Sequence, residues 1–223
     1  MRKKIFSKDV MEVYRRLFER FGPQGWWPCG RAGARGDGRL EIIIGAILTQ
    51  NTAWNNVEKA IANLRGSGVV SSVRALGAIG SKELSRLIRP SGYYNVKAGR
   101  LKNFICFLKR KYGSSLDRLS RLKTDMLRDE LLSINGIGPE TCDSILLYAF
   151  KRPVFVVDAY TRRIFSRHGS FPKDASYDDM QRFFMRAIPA SSKLYNEYHA
   201  LIVRLGKEFC RTNPDCDGCP LWR

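Results

Sequence analysis

Apolar residues recur along this chain at steps of three and four, the period of a helix face, and seldom at steps of two. In Asp9–Phe21 the positions Val10, Val13, Tyr14, Leu17, Phe18 and Phe21 share one such face. An apolar run over Glu41–Leu48 and an amphipathic stretch over Ala53–Leu64 predict the next helices. Lys82–Ile88, Lys97–Tyr112, Lys123–Ile134, Pro139–Phe150, Asp158–Arg167, Tyr177–Ile188 and Leu194–Phe209 predict the rest. The Gly- and Arg-rich segment Cys29–Arg39 breaks the pattern and reads as a surface loop. Only Val154–Val157 looks strand-like, and four residues between Pro153 and Asp158 serve equally as an extended connector. No internal repeat or low-complexity tract is present, and the best interior boundary is Lys151-Arg152-Pro153. The pattern is that of an all-α protein.

Composition narrows the function. The chain has 223 residues, 44 % of them hydrophobic, enough to fill one large unit or two small ones. Lys and Arg number 39 against 21 Asp and Glu, a formal charge of +18. That surplus favours a polyanionic partner, because each phosphate neutralised releases a condensed counterion. Ribosomal proteins, nucleases and some lipid-surface binders share the composition. No stretch approaches the roughly 20 apolar residues of a membrane span. The charged start is followed by no apolar run, so no signal peptide is expected and the expected compartment is the cytoplasm. In that reducing interior, clustered cysteines more often mean metal than disulfides. Cys210, Cys216 and Cys219 cluster near the end, whereas Cys29, Cys106 and Cys142 are scattered and read as packing residues.

Two local constellations carry candidate chemistry. Leu131–Phe150 reads as helix, tight turn, helix: Gly136 and Gly138 permit a cramped hairpin, Pro139 suits the first helical position, and Glu140 complements the helix dipole. Backbone amides at such a turn can hold a DNA phosphate without reading sequence. An ordinary αα-hairpin with glycines for close packing accounts for the pattern equally well. Asp158, between Val154–Val157 and a helix, is a natural N-cap. A carboxylate held ionised there can also stabilise an oxocarbenium-like sugar. The adjacent Trp26 and Trp27, in a short turn after an amphipathic helix, read as core anchors or a lid.

The hairpin Leu-x-x-Ile-x-Gly-Ile-Gly-Pro-x-Thr, followed about twenty residues later by Val157-Asp158, resembles the helix-hairpin-helix and Gly/Pro/Asp signature of the endonuclease III superfamily of DNA glycosylases (HhH-GPD). Gly45-Ala-Ile-Leu-Thr-Gln-Asn-Thr52 resembles that family's early barrel helix and the loop bearing a Gln that fills the gap left by a flipped base. Gly25-Trp-Trp-Pro28, Gln50-Asn-Thr-Ala-Trp54, Pro90-Ser-Gly-Tyr-Tyr-Asn95 and Tyr195-Asn-Glu-Tyr-His199 are most similar to the branch that includes 3-methyladenine DNA glycosylase III.

The resemblance implies a two-domain all-α fold. A six-helix barrel over 40–151 would carry the hairpin, and a second helical domain would be built from 1–39 and 152–223. It implies a base-excision enzyme acting as a monomer on duplex DNA at the nucleoid, with an alkylated purine as the expected target. Gly136, Gly138 and Thr141 would bind DNA, Gln50 would enter the base stack, and Trp26, Trp27 and Pro28 would line the base pocket. Asp158 and Glu140 are the candidate catalytic positions. Asp158 would support the sugar cation, and Glu140 stands where the bifunctional branch carries a nucleophilic Lys, which implies no lyase step. Cys210-x5-Cys216-x2-Cys219 resembles the family's [4Fe–4S] loop, but the fourth Cys of that pattern has no counterpart within these residues, and a cubane normally wants four thiolates. A mismatch or oxidised-base glycosylase, or a non-catalytic hairpin module, are the competing expectations.

Overall fold

The computed structural model describes residues 4–26, 37–172 and 174–222, all helix, turn and irregular connection with no strand among them. Twelve α-helices occur in the described residues: α1 (Val10–Phe21), α2 (Gly38–Leu48), α3 (Trp54–Gly66), α4 (Val73–Ala78), α5 (Ser81–Leu87), α6 (Tyr94–Tyr112), α7 (Leu116–Ser120), α8 (Thr124–Leu132), α9 (Pro139–Ser144), α10 (Ala159–Arg167), α11 (Tyr177–Ala187) and α12 (Ser192–Glu208). A single π-turn, Ile145–Ala149, extends α9. None of the helices is long and apolar enough to cross a membrane. The chain divides into two compact units, one from both chain ends (Met1–Trp27 and Lys151–Arg223) and one from its middle (Pro28–Phe150).

Two short helices, α4 and α7, escape the periodicity because each spans under two turns. Side-chain caps mark their starts instead: Ser72 accepts from the Ala75 amide and Ser115 from that of Arg118. The loop expected over Cys29–Arg39 is cut short at its far end, where Asp37 caps α2. The rest of that loop lies outside the described residues, as does Cys29. Cys142 is buried, and burial pushes its thiol up to about 12, as befits a packing residue. Cys106, expected to pack, is exposed.

In the middle unit α2 is buried along nearly its whole length, packed on α3, α6 and the π-turn. Arg128 of α8 pairs with the fully buried Asp143 of α9 (2.8 Å), clamping together the two helices that flank the hairpin. Lys97, only 1 % exposed, donates from Nζ to the Leu48 carbonyl (2.8 Å) and to the Ser91 carbonyl (2.6 Å). One ammonium thereby ties the end of α2 to the turn that precedes α6. Burial, with the nearby Arg100 charge, pulls it down to about 8.

Lys97→Met should lower the thermal midpoint, because two buried carbonyls lose their donor at about 1–3 kcal/mol each, and a chain of this size loses roughly 2–4 °C per kcal/mol. Since the folded-state value lies below that of an unfolded Lys, the cost of burying the charge is present below about pH 8 and relieved toward about pH 10.4. The wild-type advantage over the Met variant should therefore widen across that window. Equal midpoints would mean that both carbonyls find other donors.

The unit built from the chain ends has an aromatic core. Phe155 stacks on Phe184 (4.2 Å), Phe165 meets Phe184 edge-on (4.7 Å), and Tyr198 donates its hydroxyl to the Val10 carbonyl (2.7 Å). Phe155 belongs to the strand-like stretch Val154–Val157, which is the extended connector and not a strand. All four residues are buried, and side chains do the work of a neighbouring strand: Gln181 donates to the Phe155 carbonyl (2.7 Å) and the Val157 amide to Tyr177 Oη (3.4 Å). This buried anchor delivers the chain to Asp158.

Candidate nucleic-acid interface and active site

Asp158 divides its two oxygens between two tasks. Oδ1 accepts from the Thr161 amide (2.7 Å) and the Thr161 hydroxyl (2.8 Å), capping α10. Oδ2 lies 3.6 Å from His199 Nε2, beyond a normal hydrogen bond but well within charge interaction. Burial pushes the carboxyl up; the His199 imidazole and the Thr161 donors outweigh this and hold it below its ordinary range. A cap and an ionised carboxylate are thus two properties of one side chain.

His199 sits on α12, 5 % exposed, with its ring stacked on Trp26 (5.7 Å, 18°). The segment that carries Trp26 is tied to the same helix. The Gln24 amide donates to Glu197 (2.5 Å) and Arg204 donates to the Phe21 carbonyl (3.1 Å). Trp26, His199 and Asp158 therefore form one row within this unit. Trp27 and Pro28 lie outside the described residues.

The hairpin residues meet a second network in the middle unit. Gly136 has φ +95°, a region L side chains avoid, and Arg100 lies across it: a Cβ there would come 2.4 Å from Arg100 Cγ. Gly138 has ordinary extended backbone and open space before it, so neither conformation nor crowding demands a glycine. Gln50 Nε2 donates to the Gly136 carbonyl (3.0 Å) and to Thr141 Oγ1 (2.9 Å), while Arg100 donates to Gln50 Oε1. Gln50, expected to reach into DNA, is held against the hairpin here. Thr141 is 7 % exposed, and its hydroxyl accepts from Gln50, which joins the side chain to the hairpin. Glu140 is exposed in the first turn of α9.

Sequence reasoning assigned no role to His199, Arg100, Lys97 or Tyr93. His199 had a signal: it is one of only two histidines, on the apolar stripe of Tyr195, Tyr198 and Ile202. Tyr93 is 72 % exposed with a left-handed backbone (φ 43°), in the turn that Lys97 ties to the end of α2.

Cys210, Cys216 and Cys219 line one small cavity together with Arg167, Phe209 and Trp222. Arg167 Nη1 donates to Cys210 Sγ (3.3 Å) and to the Arg211 carbonyl (2.6 Å), and Arg163 to the Cys210 carbonyl (2.7 Å). Among the described residues no group of three or more His, Cys, Asp or Glu is placed to hold a metal ion. Within these residues the loop offers three thiols, one of them engaged by the Arg167 guanidinium, where a four-iron cubane normally takes four thiolates. The loop is held by guanidinium hydrogen bonds.

Residues 44–190 match the model of the HhH-GPD superfamily of base excision DNA repair proteins. A candidate DNA repair glycosylase of Methanocaldococcus jannaschii is 46 % identical over 213 residues, 95 % of this chain and 93 % of that one. Endonuclease III of Sulfolobus acidocaldarius is 31 % identical over 179 residues, 79 % of this chain and 77 % of the relative. Among solved structures, the H. pylori 3-methyladenine DNA glycosylase bound to 1,N6-ethenoadenine superposes with a TM-score of 0.74 at 27 % identity, covering 92 % of this chain and 98 % of that one.

Proposed function

The chain belongs to the HhH-GPD superfamily of base excision DNA repair proteins, in its endonuclease III-like branch, and from that premise we propose that it is a monofunctional DNA N-glycosylase for an alkylated purine such as 3-methyladenine. The observation that carries this reading is the row Trp26–His199–Asp158, a flat aromatic surface leading to a buried, ionised carboxylate. It works as a monomer on chromosomal DNA in the cytoplasm.

The surplus of 18 positive charges supplies the grip on phosphates. Hairpin amides around Gly136–Gly138 anchor the backbone. Gln50 and Tyr93 occupy the stack as the target nucleotide turns out, a step costing a few kcal/mol and least for a damaged base. Trp26 receives the base; a cationic alkylated purine gains from a π-face and leaves without a strong general acid. Asp158 stabilises the sugar cation as the N-glycosyl bond breaks, and water adds at the anomeric carbon. Glu140, a carboxylate, cannot form an imine, so the strand stays intact.

A panel of duplexes, each with one lesion, tests this directly. Base release should be fastest from alkylated purines, strands should break only after alkali, and borohydride should trap no protein–DNA adduct. Robust trapping would remove the monofunctional assignment. Preference for an oxidised or mismatched base would reassign the pocket, and no release from any duplex would leave a binding module.

A further inference from the structure

We propose that His199 is a positioning residue for the Asp158 carboxylate, aiming its second oxygen and coupling it to the base surface at Trp26. The inference rests on the reading of Asp158 as the group that meets the sugar. Thr161 takes Oδ1 twice over and so sets the plane of the carboxylate, but the cap says nothing about what Oδ2 faces. That oxygen is directed at His199 Nε2, 3.6 Å away.

The imidazole is itself held. It projects from α12 on the face shared with the buried Tyr195, Tyr198 and Ile202. Trp26 covers its face. Packing alone would be met by a leucine or phenylalanine at this position, without the desolvation cost of a polar ring. What a leucine lacks is an electropositive edge toward Oδ2. With it, His199 and the Thr161 donors together hold the carboxylate ionised despite burial; without it, only the Thr161 donors oppose burial. Because one ring touches both Trp26 and Asp158, the surface that receives a base and the charge that meets its sugar are kept in register, and displacements of a fraction of an ångström matter at this stage of a reaction.

The test compares His199→Leu, His199→Phe and His199→Gln with wild type in single-turnover base release, duplex affinity and thermal midpoint. The Gln amide nitrogen reaches about where Nε2 lies, so Gln should restore most of the rate. Leu and Phe should lose on the order of tenfold or more in the single-turnover step while affinity stays within about twofold, since the missing interaction acts on the reacting centre and not on phosphates. Wild-type rates in the Leu or Phe variant would overturn the proposal. So would equal losses in Leu, Phe and Gln that track the thermal midpoint, or unfolding of both apolar variants, since each is what a packing role predicts. Asp158→Asn, run alongside, separates the two claims. An inactive Asn variant beside a fully active His199→Leu sinks the role of His199 alone. An active Asn variant sinks the reading on which it rests.

Discussion

Asp158→Asn is expected to abolish measurable base release, with the single-turnover rate falling on the order of 10²-fold or more, as when other preorganised charges are removed. Duplex affinity should stay near wild type, because the side chain makes no part of the hairpin proposed to grip phosphate. The amide oxygen can still accept from the Thr161 amide and hydroxyl, and Asn caps a helix about as well as Asp, so α10 should begin where it does now. What disappears is the negative charge. Its folded-state pKa is depressed, so its stabilising contribution is present above the unfolded carboxylate value, about 3.9. That contribution is lost as pH falls through the lower folded value. The stability gap between wild type and variant should therefore be widest near neutrality and close in acid. For the same reason Asp158 should impose no acid limb on base release between about pH 5 and 7. Full activity in the Asn variant would take Asp158 out of the chemistry.

Gly136→Ala should be the most damaging single methyl in the hairpin. The left-handed backbone there costs an L residue about 1–3 kcal/mol, and the new Cβ would stand 2.4 Å from Arg100 Cγ and 2.9 Å from Cδ. These atoms sit midway along the Arg100 side chain, so the guanidinium must move with them. Arg100 would then release Gln50, which in turn braces the Gly136 carbonyl and Thr141. Affinity should fall on the order of tenfold on unrelated duplexes alike, since hairpin amides are proposed to meet phosphate and not bases. Gly138→Ala is the matched control. Its backbone is ordinary and its surroundings open, so stability should hold while affinity drops wherever the methyl obstructs a phosphate. Thermal midpoints and affinities on two sequences decide the matter. Equal destabilisation by both substitutions would refute the special demand placed on Gly136.

Most of the helices were legible in the chain because their signals are local. The apolar stripe of α1, the unbroken burial of α2 and the Gly-Ile-Gly-Pro turn before α9 depend on neighbours a few residues away. The motif words Gly136–Gly138, Val157-Asp158 and Gly45–Thr52 indicated the family, since each is contiguous. The short α4 and α7 were lost for want of length, and the buried stretch before Asp158 is ambiguous in sequence because burial of an extended segment looks alike in a strand and a connector.

The helical class, the basic surplus, the hairpin and the place of Asp158 at a helix start all follow from residue type and short spacing. Which atoms meet is set by the fold. Asp158 Oδ2 faces His199 across 41 residues, Arg100 bridges Gln50 and Gly136, and Lys97 joins Leu48 to Ser91. The fold also lays Gln50 on the hairpin and brings the three cysteines around one small cavity. The physical reason is that a polar side chain brought into a core must take whichever partner packing places beside it, and that partner is set by the folding of distant segments onto one another, which no local spacing encodes.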